Sequence, residues 1–456
     1  MKQTLRSARS ARVVSMLAFA ALIVGALVGA SAANAAGPIS HPIHVSPQVG
    51  GPQARQGELF GCESRPISGA RGARCYTPQE IQQAYGYSGL LSSGVDGSGK
   101  TIVIIDAFQN PYIKSDLSIF DSTFGLPDPK FSVIHPGGLT RFNINDPNQD
   151  GWAFEIQLDV EYAHAMAPGA NIVLALAKSN DDSDLLATTR YVIDNHIGDV
   201  ISQSFGEAEQ CMDPTLLAEQ HTLFAQAVSE GYTLFASSGD SGASQFNCDG
   251  TAAIEAASTP ASDPNVTGVG GTTLSAKDPS GDYVSETAWT EIFGCNPPAI
   301  DPSDVNCSGG GFSTIYPRPS YQGGSNAGRG VPDVAYNAGV NGGVLTHCGV
   351  CNLVFGAGSA TDPTIFWIFG GTSAGSPQWA GLTADADQMA GADLGNINPQ
   401  LYGLESSQGS VFHDIVKGNN DVAELGGAGF SAGTGWDPVT GLGTPNAALL
   451  LPALAG

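Results

Sequence analysis

The sequence predicts an α/β fold, a doubly wound, mainly parallel sheet with helices on both faces. Short apolar runs alternate with amphipathic stretches from Lys100 onward, each run is bounded by turn residues, and no internal repeat interrupts the alternation.

The elements in order begin with Lys2, Arg6, Arg9 and Arg12, followed by an apolar stretch from Val13 to Val28 and small residues ending in Ala33, Asn34 and Ala35. That order is a secretory signal peptide over residues 1–35. The apolar run is shorter than the ~20 residues a permanent membrane anchor needs. The expectation is a secreted, extracellular, soluble mature chain, monomeric and without a membrane partner. Residues 36–75 are rich in Gly, Pro, Ser and Arg with little periodicity and read as an extended N-terminal arm. Eight cysteines in an exported chain imply disulfides. Sequence neighbours suggest Cys62 with Cys75, which would tether the arm, then Cys211 with Cys248, Cys295 with Cys307 and Cys348 with Cys351, although eight cysteines allow about 105 pairings. The last spacing also fits a redox pair.

Strands are expected at Thr101 to Asp106, Asn171 to Ala177, Asp199 to Ser204 and Tyr232 to Ser237. Helices are expected at about Pro111 to Phe124, Trp152 to Ala165, Asp182 to Asn195 and Asp213 to Glu230. Loops and short strands should dominate from Thr251 to Gly371, where Gly, Pro, Ser and Asn are dense. A further helical element opens at Ser373. Carboxylates outnumber bases 43 to 18, giving a net charge of −25. Nucleic acid is therefore not an expected partner, and falling pH relieves the self-repulsion.

Chemistry concentrates at four positions. In Gly370-Gly371-Thr372-Ser373-Ala374-Gly375-Ser376-Pro377 an apolar run meets a glycine turn and then a helix. Ser373 is there either an ordinary N-cap or a nucleophile whose own N–H forms part of an oxyanion hole. Such a serine needs a base. None of the eight histidines is followed by glycine, and Asp106 is followed by Ala107 and Phe108, so a Ser/His/Asp triad is poorly supported. Glu155 and Asp159 share one helix face at i,i+4. They are either a solvated acidic face or a pair sharing a proton in acid, where histidine is fully charged. Ile156, Leu158 and Val160 around them favour the pair. Asp240, in Ser237-Ser238-Gly239-Asp240-Ser241-Gly242, lies at the carboxyl end of a strand, where open parallel sheets place their sites. It is either a turn residue or a protonated donor to an oxyanion.

In the order Glu155, Asp159, Asp240, Ser373, these residues resemble the sedolisin family of serine-carboxyl peptidases, over roughly Tyr76 to the C-terminus. Ala167-Pro168-Gly169-Ala170, Val269-Gly270-Gly271-Thr272, Gly309-Gly310-Gly311-Phe312-Ser313 and Pro332-Asp333-Val334 are similar as well. The resemblance implies a subtilisin-like fold over residues 76–456 and hydrolysis of protein or peptide substrates through an acyl-enzyme on Ser373. Glu155 would be base and then acid, Asp159 would share its proton, and Asp240 would complete the oxyanion hole. Ser204, Phe205 and Gly206 would pair with the substrate backbone. Activity is expected between about pH 3 and 5.

A second constellation, His413-Asp414-Ile415 and Gly433-Thr434-Gly435-Trp436-Asp437-Pro438, is either a glycine-rich loop or a hard, oxygen-only cation site. It is similar to the family's calcium loop, which implies Ca²⁺ held by the Asp414 and Asp437 carboxylates and the carbonyls of Ile415, Gly433 and Gly435. The family's long folded prosegment has no counterpart in the roughly 40 residues between signal and Tyr76. The competing expectation is a secreted, non-catalytic binding protein on a peptidase scaffold.

Overall fold

A computed structural model describes residues 41–42, 48–49, 60–65, 73–291, 306–422 and 425–456. The expected signal peptide, most of the 36–75 arm and Cys295 lie outside the described residues. Among the described residues no helix is long and apolar enough to cross a membrane.

Seven strands form the main sheet in the order Tyr283–Ala288, Thr267–Ala276, Thr233–Ser237, Val200–Gln203, Thr101–Ala107, Asn171–Ala177, Phe131–Ile134, and an eighth, Val334–Asn337, pairs with Thr267–Ala276. All pairings are parallel except that of Tyr283–Ala288. Side chains alternate across such a sheet. In Thr101–Ala107, Ile102 and Ile104 enter the core with helices Pro147–Met166 and Gly375–Ala390, while Val103 and Ile105 enter the core with helices Asp182–Asp194 and Pro214–Ser229. Both faces are thus covered, as the alternating pattern predicts.

Helix Pro147–Met166 starts five residues before the expected Trp152. Asp146 caps it, its side chain accepting from the Asn148 N–H at 3.1 Å, and Pro147 fits the first turn. From Trp152 to Met166 every residue is buried. Three of its polar side chains are tied to the segment 345–347: Gln157 Nε2 donates to Thr346 Oγ1 at 2.6 Å, Tyr162 Oη to the Leu345 carbonyl at 3.0 Å, and the His347 N–H to Glu161 Oε2 at 3.1 Å. A solvated acidic face is thereby ruled out for Glu155 and Asp159.

Thr267–Ala276 lies in the glycine-rich stretch expected to hold loops and short strands, yet it is the longest strand of the sheet. Close approach explains its glycines: a Cβ on Gly270 would meet Pro332 Cγ at 2.6 Å, and one on Gly271 would meet Ala338 Cβ at 2.7 Å. The Pro332-Asp333-Val334 segment is locked beside this strand by a buried ion pair, Arg329 Nη2 to Asp333 Oδ2 at 2.6 Å, with the Gly268 N–H donating to the same oxygen at 2.8 Å. Cys62–Cys75, Cys211–Cys248 and Cys348–Cys351 are bonded as expected, and Cys307 is disulfide-bonded too.

Candidate active site

Strand Trp367–Phe369 runs into Gly370 and Gly371, and Gly371 adopts φ 101°, a conformation side chains rarely tolerate. The chain then forms the 3₁₀ turn Thr372–Ala374, which carries Ser373, and continues as helix Gly375–Ala390. Asp240 holds the residue before the nucleophile: its Oδ1 accepts from the Thr372 N–H at 2.8 Å and from Thr372 Oγ1 at 2.9 Å. Its loop is held in turn, since the Gly309 N–H donates to the Gly239 carbonyl at 2.7 Å and the Cys307 N–H to the Asp240 carbonyl at 2.9 Å. A Cβ on Gly309 would meet the Gly239 carbonyl oxygen at 2.6 Å. Gly309 of the triple-glycine segment therefore serves to bring Asp240 against Thr372.

Glu155 and Asp159 project from Pro147–Met166 toward this turn and are fully buried. Burial pushes the Glu155 carboxyl well above its usual range, and the negative potential of Asp106 pushes it further. The Ser373 hydroxyl and the Asp159 carboxyl, facing it, act in the opposite direction. Asp159 is likewise raised, first by burial and then by Glu155, with Ser204 opposing. Each carboxyl is thus driven toward its neutral form, chiefly by burial. Two buried acids facing one another in this way hold a proton between them.

Asp106 is the member that sequence reading did not place here. It is fully buried, and its carboxyl is raised by burial and then by Asp159. The signal was strand parity, because Asp106 follows Ile102 and Ile104 on the face covered by the acid-pair helix. Three histidine–aspartate pairs lie elsewhere: His164 beside Asp121 at 3.2 Å, His221 with Asp263 at 2.7 Å and His347 with Asp116 at 3.0 Å.

The C-terminal constellation also converges. Asp414 accepts from the Gly435 N–H at 3.2 Å, and Asp437 Oδ2 accepts from the Gly433 N–H at 3.0 Å. Gly435 turns with φ 74°, and Ile415 is buried. Two carboxylates thus meet one glycine-rich turn, a donor set that fits a hard cation only if carbonyls supply the remaining oxygens. Among the described residues no group of three or more His, Cys, Asp or Glu side chains forms a metal cluster.

Kumamolisin of a Bacillus strain is 36% identical over 426 residues, covering 87% of this chain and 70% of that protein. The chain belongs to the sedolisin family. Sedolisin of Pseudomonas is 30% identical, covering 88% of this chain and 64% of its relative. The solved Pseudomonas sedolisin, a serine-carboxyl proteinase complexed with two molecules of pseudo-iodotyrostatin, superposes with a TM-score of 0.71 at 29% identity, covering 84% of this chain and 98% of that one. Rat tripeptidyl-peptidase 1 is 28% identical, covering 83% of this chain and 64% of its own length. No family profile matches the chain. Sedolisin-family membership makes the chain a peptide hydrolase with a subtilisin-like α/β fold.

Proposed function

We propose that this sedolisin-family member is a secreted peptidase acting in acid, with Ser373 as nucleophile and the Glu155/Asp159 pair as its base. The observation that carries the reading is the burial of Glu155, Asp159 and Asp106 together beside Ser373, which raises all three carboxyls. Ser373 Oγ attacks the scissile carbonyl as Glu155 takes its proton, and the oxyanion develops beside the Ser373 N–H and Asp240. Glu155 returns the proton to the leaving amine, which departs and leaves an acyl-enzyme. Water then attacks the acyl carbon, giving its proton to Glu155, and Ser373 is regenerated. Ser204, Phe205 and Gly206 pair with the backbone of a protein or peptide substrate.

The test is a pH series of peptide cleavage, with products read by mass spectrometry. Activity is expected to be greatest at about pH 3 to 5 and to fall toward neutrality as the acid cluster gives up its shared proton. A stable enzyme with its maximum at about pH 7 to 8 refutes the mechanism. Stability must be followed alongside, because it has its own slope. Glu80 and Asp387 are raised to about 7 and Glu207 to about 9, each mainly by burial. A carboxyl with a raised folded-state pKa binds more protons folded than unfolded, so its stabilisation is complete below the unfolded value and is lost as pH rises through the folded one. The melting temperature is therefore expected to decline between about pH 4 and 9, and the loss of activity should be reversible before that decline denatures the chain.

Asp414 and Asp437 would hold Ca²⁺ together with the carbonyls of Ile415, Gly433 and Gly435, and waters would complete the shell. The ion would neutralise two carboxylates facing one turn, tying down the C-terminal segment away from the chemistry. Chelation is expected to lower the melting temperature by a few degrees, since binding to the native state alone contributes ~2.7 kcal/mol at a hundredfold excess over Kd. A melting temperature unmoved by chelator removes the assignment.

A further inference from the structure

Among the described residues, exposed large apolar side chains occur singly except at Leu353, Val354 and Phe355, which follow one another and are exposed by 37%, 37% and 50%. Such a run is a liability in water unless it binds something. The first two residues end the helix Gly349–Val354, and that helix is held on several sides. The Cys348–Cys351 disulfide closes its first turn, the Gly349 N–H donates to Asp116 Oδ1 at 3.1 Å, and Asn352 Nδ2 donates to the Ser359 carbonyl at 3.0 Å. Asn352 Oδ1 in turn accepts from Trp367 Nε1 at 2.8 Å. The Phe355 ring stacks on Phe154 with centroids 5.9 Å apart and lies 5.1 Å from Trp367. Phe154 and Trp367 are both buried, so Phe355 is the exposed end of an aromatic column.

The column rises from the candidate active site. Phe154 directly precedes Glu155 on the acid-pair helix, and Trp367 opens the strand that leads into the Ser373 turn. Glu155 returns its proton to the leaving amine, so what borders Glu155 borders the part of the substrate that departs. We propose that Phe355, with Leu353 and Val354, is a subsite for an apolar side chain on the carboxyl-terminal, leaving side of the scissile bond. This rests on the reading of Ser373 as nucleophile and Glu155 as the acid toward the leaving amine. The chemistry of the ledge selects its occupant. No residue from 349 to 359 is charged, so a charged substrate side chain would be desolvated there without a partner. An aromatic or branched aliphatic side chain buries apolar area against the ring face instead. Because the disulfide and the stacked rings already fix the ledge, little protein freedom is lost when it is covered.

The test is cleavage, by the full chain at its acid optimum, of quenched fluorescent peptides that differ only at the first, second or third residue after the scissile bond. The wild-type chain is expected to prefer phenylalanine and leucine over glycine and lysine by at least about tenfold in kcat/KM at one of these positions, through KM. Absence of any such preference overturns the proposal. Phe355→Ser is expected to reduce the preference to about twofold or less, whereas Leu449→Ser, at a similarly exposed leucine elsewhere, keeps it. A folded Phe355→Ser chain with the full preference overturns the proposal. Where Phe355→Ser loses its fold, Val354→Lys decides, because it charges the ledge and leaves the rings in place: an unchanged preference for phenylalanine overturns the proposal. If no peptide is hydrolysed, the peptidase reading fails, and a fluorescent phenylalanine-containing peptide titrated into the wild-type and Phe355→Ser chains decides alone. Weaker binding to the variant supports the subsite, and equal binding overturns it. A wild-type dimer that dissociates in Phe355→Ser, followed by sedimentation, assigns the ledge to a second copy and overturns the proposal.

Discussion

Ser373→Ala is expected to leave a folded protein whose kcat/KM for peptides is lower by about four orders of magnitude or more. The substitution removes one buried oxygen and nothing else. The turn does not depend on that oxygen, because its geometry comes from Gly371 at φ 101° and from the two hydrogen bonds between Thr372 and Asp240. The melting temperature should therefore change little, and the acid cluster should keep its burial. What disappears is the only route to an acyl-enzyme. Any residual rate would come from a water activated by Glu155 beside the backbone N–H of position 373, which is a slower, direct hydrolysis. The measurement is kcat/KM at the acid optimum, paired with a melting curve and with intact-mass analysis of an acylated intermediate trapped by a slow ester substrate. Wild-type activity in a folded variant removes Ser373 from the chemistry, and acylation without Ser373 would place the nucleophile elsewhere.

The central sheet was legible because its strands are buried on both faces and end in turn residues. Asn171–Ala177 matches its expected limits, and the neighbouring strands differ by a residue or so at their ends. The acid-pair helix was legible in kind but not in extent, since a capping Asp-Pro pair outside the apolar run starts it earlier. Thr267–Ala276 was hidden because its glycines, which weaken a strand in isolation, are demanded by Pro332, Ala338 and Trp289 packing on it. At the site, local sequence carries Ser373 and the spacing of Glu155 and Asp159. It does not carry Asp106, whose role depends on a strand face meeting a helix distant in the chain. Nor does it carry the stacking of Phe355 on Phe154 and Trp367, since rings on separate segments announce no contact. Spacing within one element survives in a sequence, whereas contacts between elements are created by the fold.

Glu155→Gln and Asp159→Asn are each expected to lower kcat/KM by about three orders of magnitude or more, and the double variant to be little worse than either alone. The reason is that the two carboxyls act as one proton acceptor. A glutamine amide in place of the Glu155 carboxyl cannot take the proton from Ser373. An asparagine amide in place of the Asp159 carboxyl can still donate to Glu155 but cannot move its proton, so the pair loses the shared charge that keeps Glu155 competent in acid. Once either defect is present, the second removes a function already lost, and the double-mutant cycle shows a large coupling. Losses that multiply would refute a shared-proton pair. Stability gives a reading that a merely structural role would not move. Glu155, Asp159 and Asp106 are all raised by burial, so the cluster holds a shared proton in acid, and wild-type stability should fall as that proton is lost toward neutrality. Glutamine cannot ionise, and that contribution to the slope vanishes. Glu155→Gln is thus expected to be nearly inactive in acid yet to melt at a higher temperature than wild type near neutrality, with the difference shrinking as pH is lowered. A variant equally inactive but no more resistant to neutral pH would show that Glu155 does not titrate as a buried acid, and the base would have to be sought in Asp159 or Asp106.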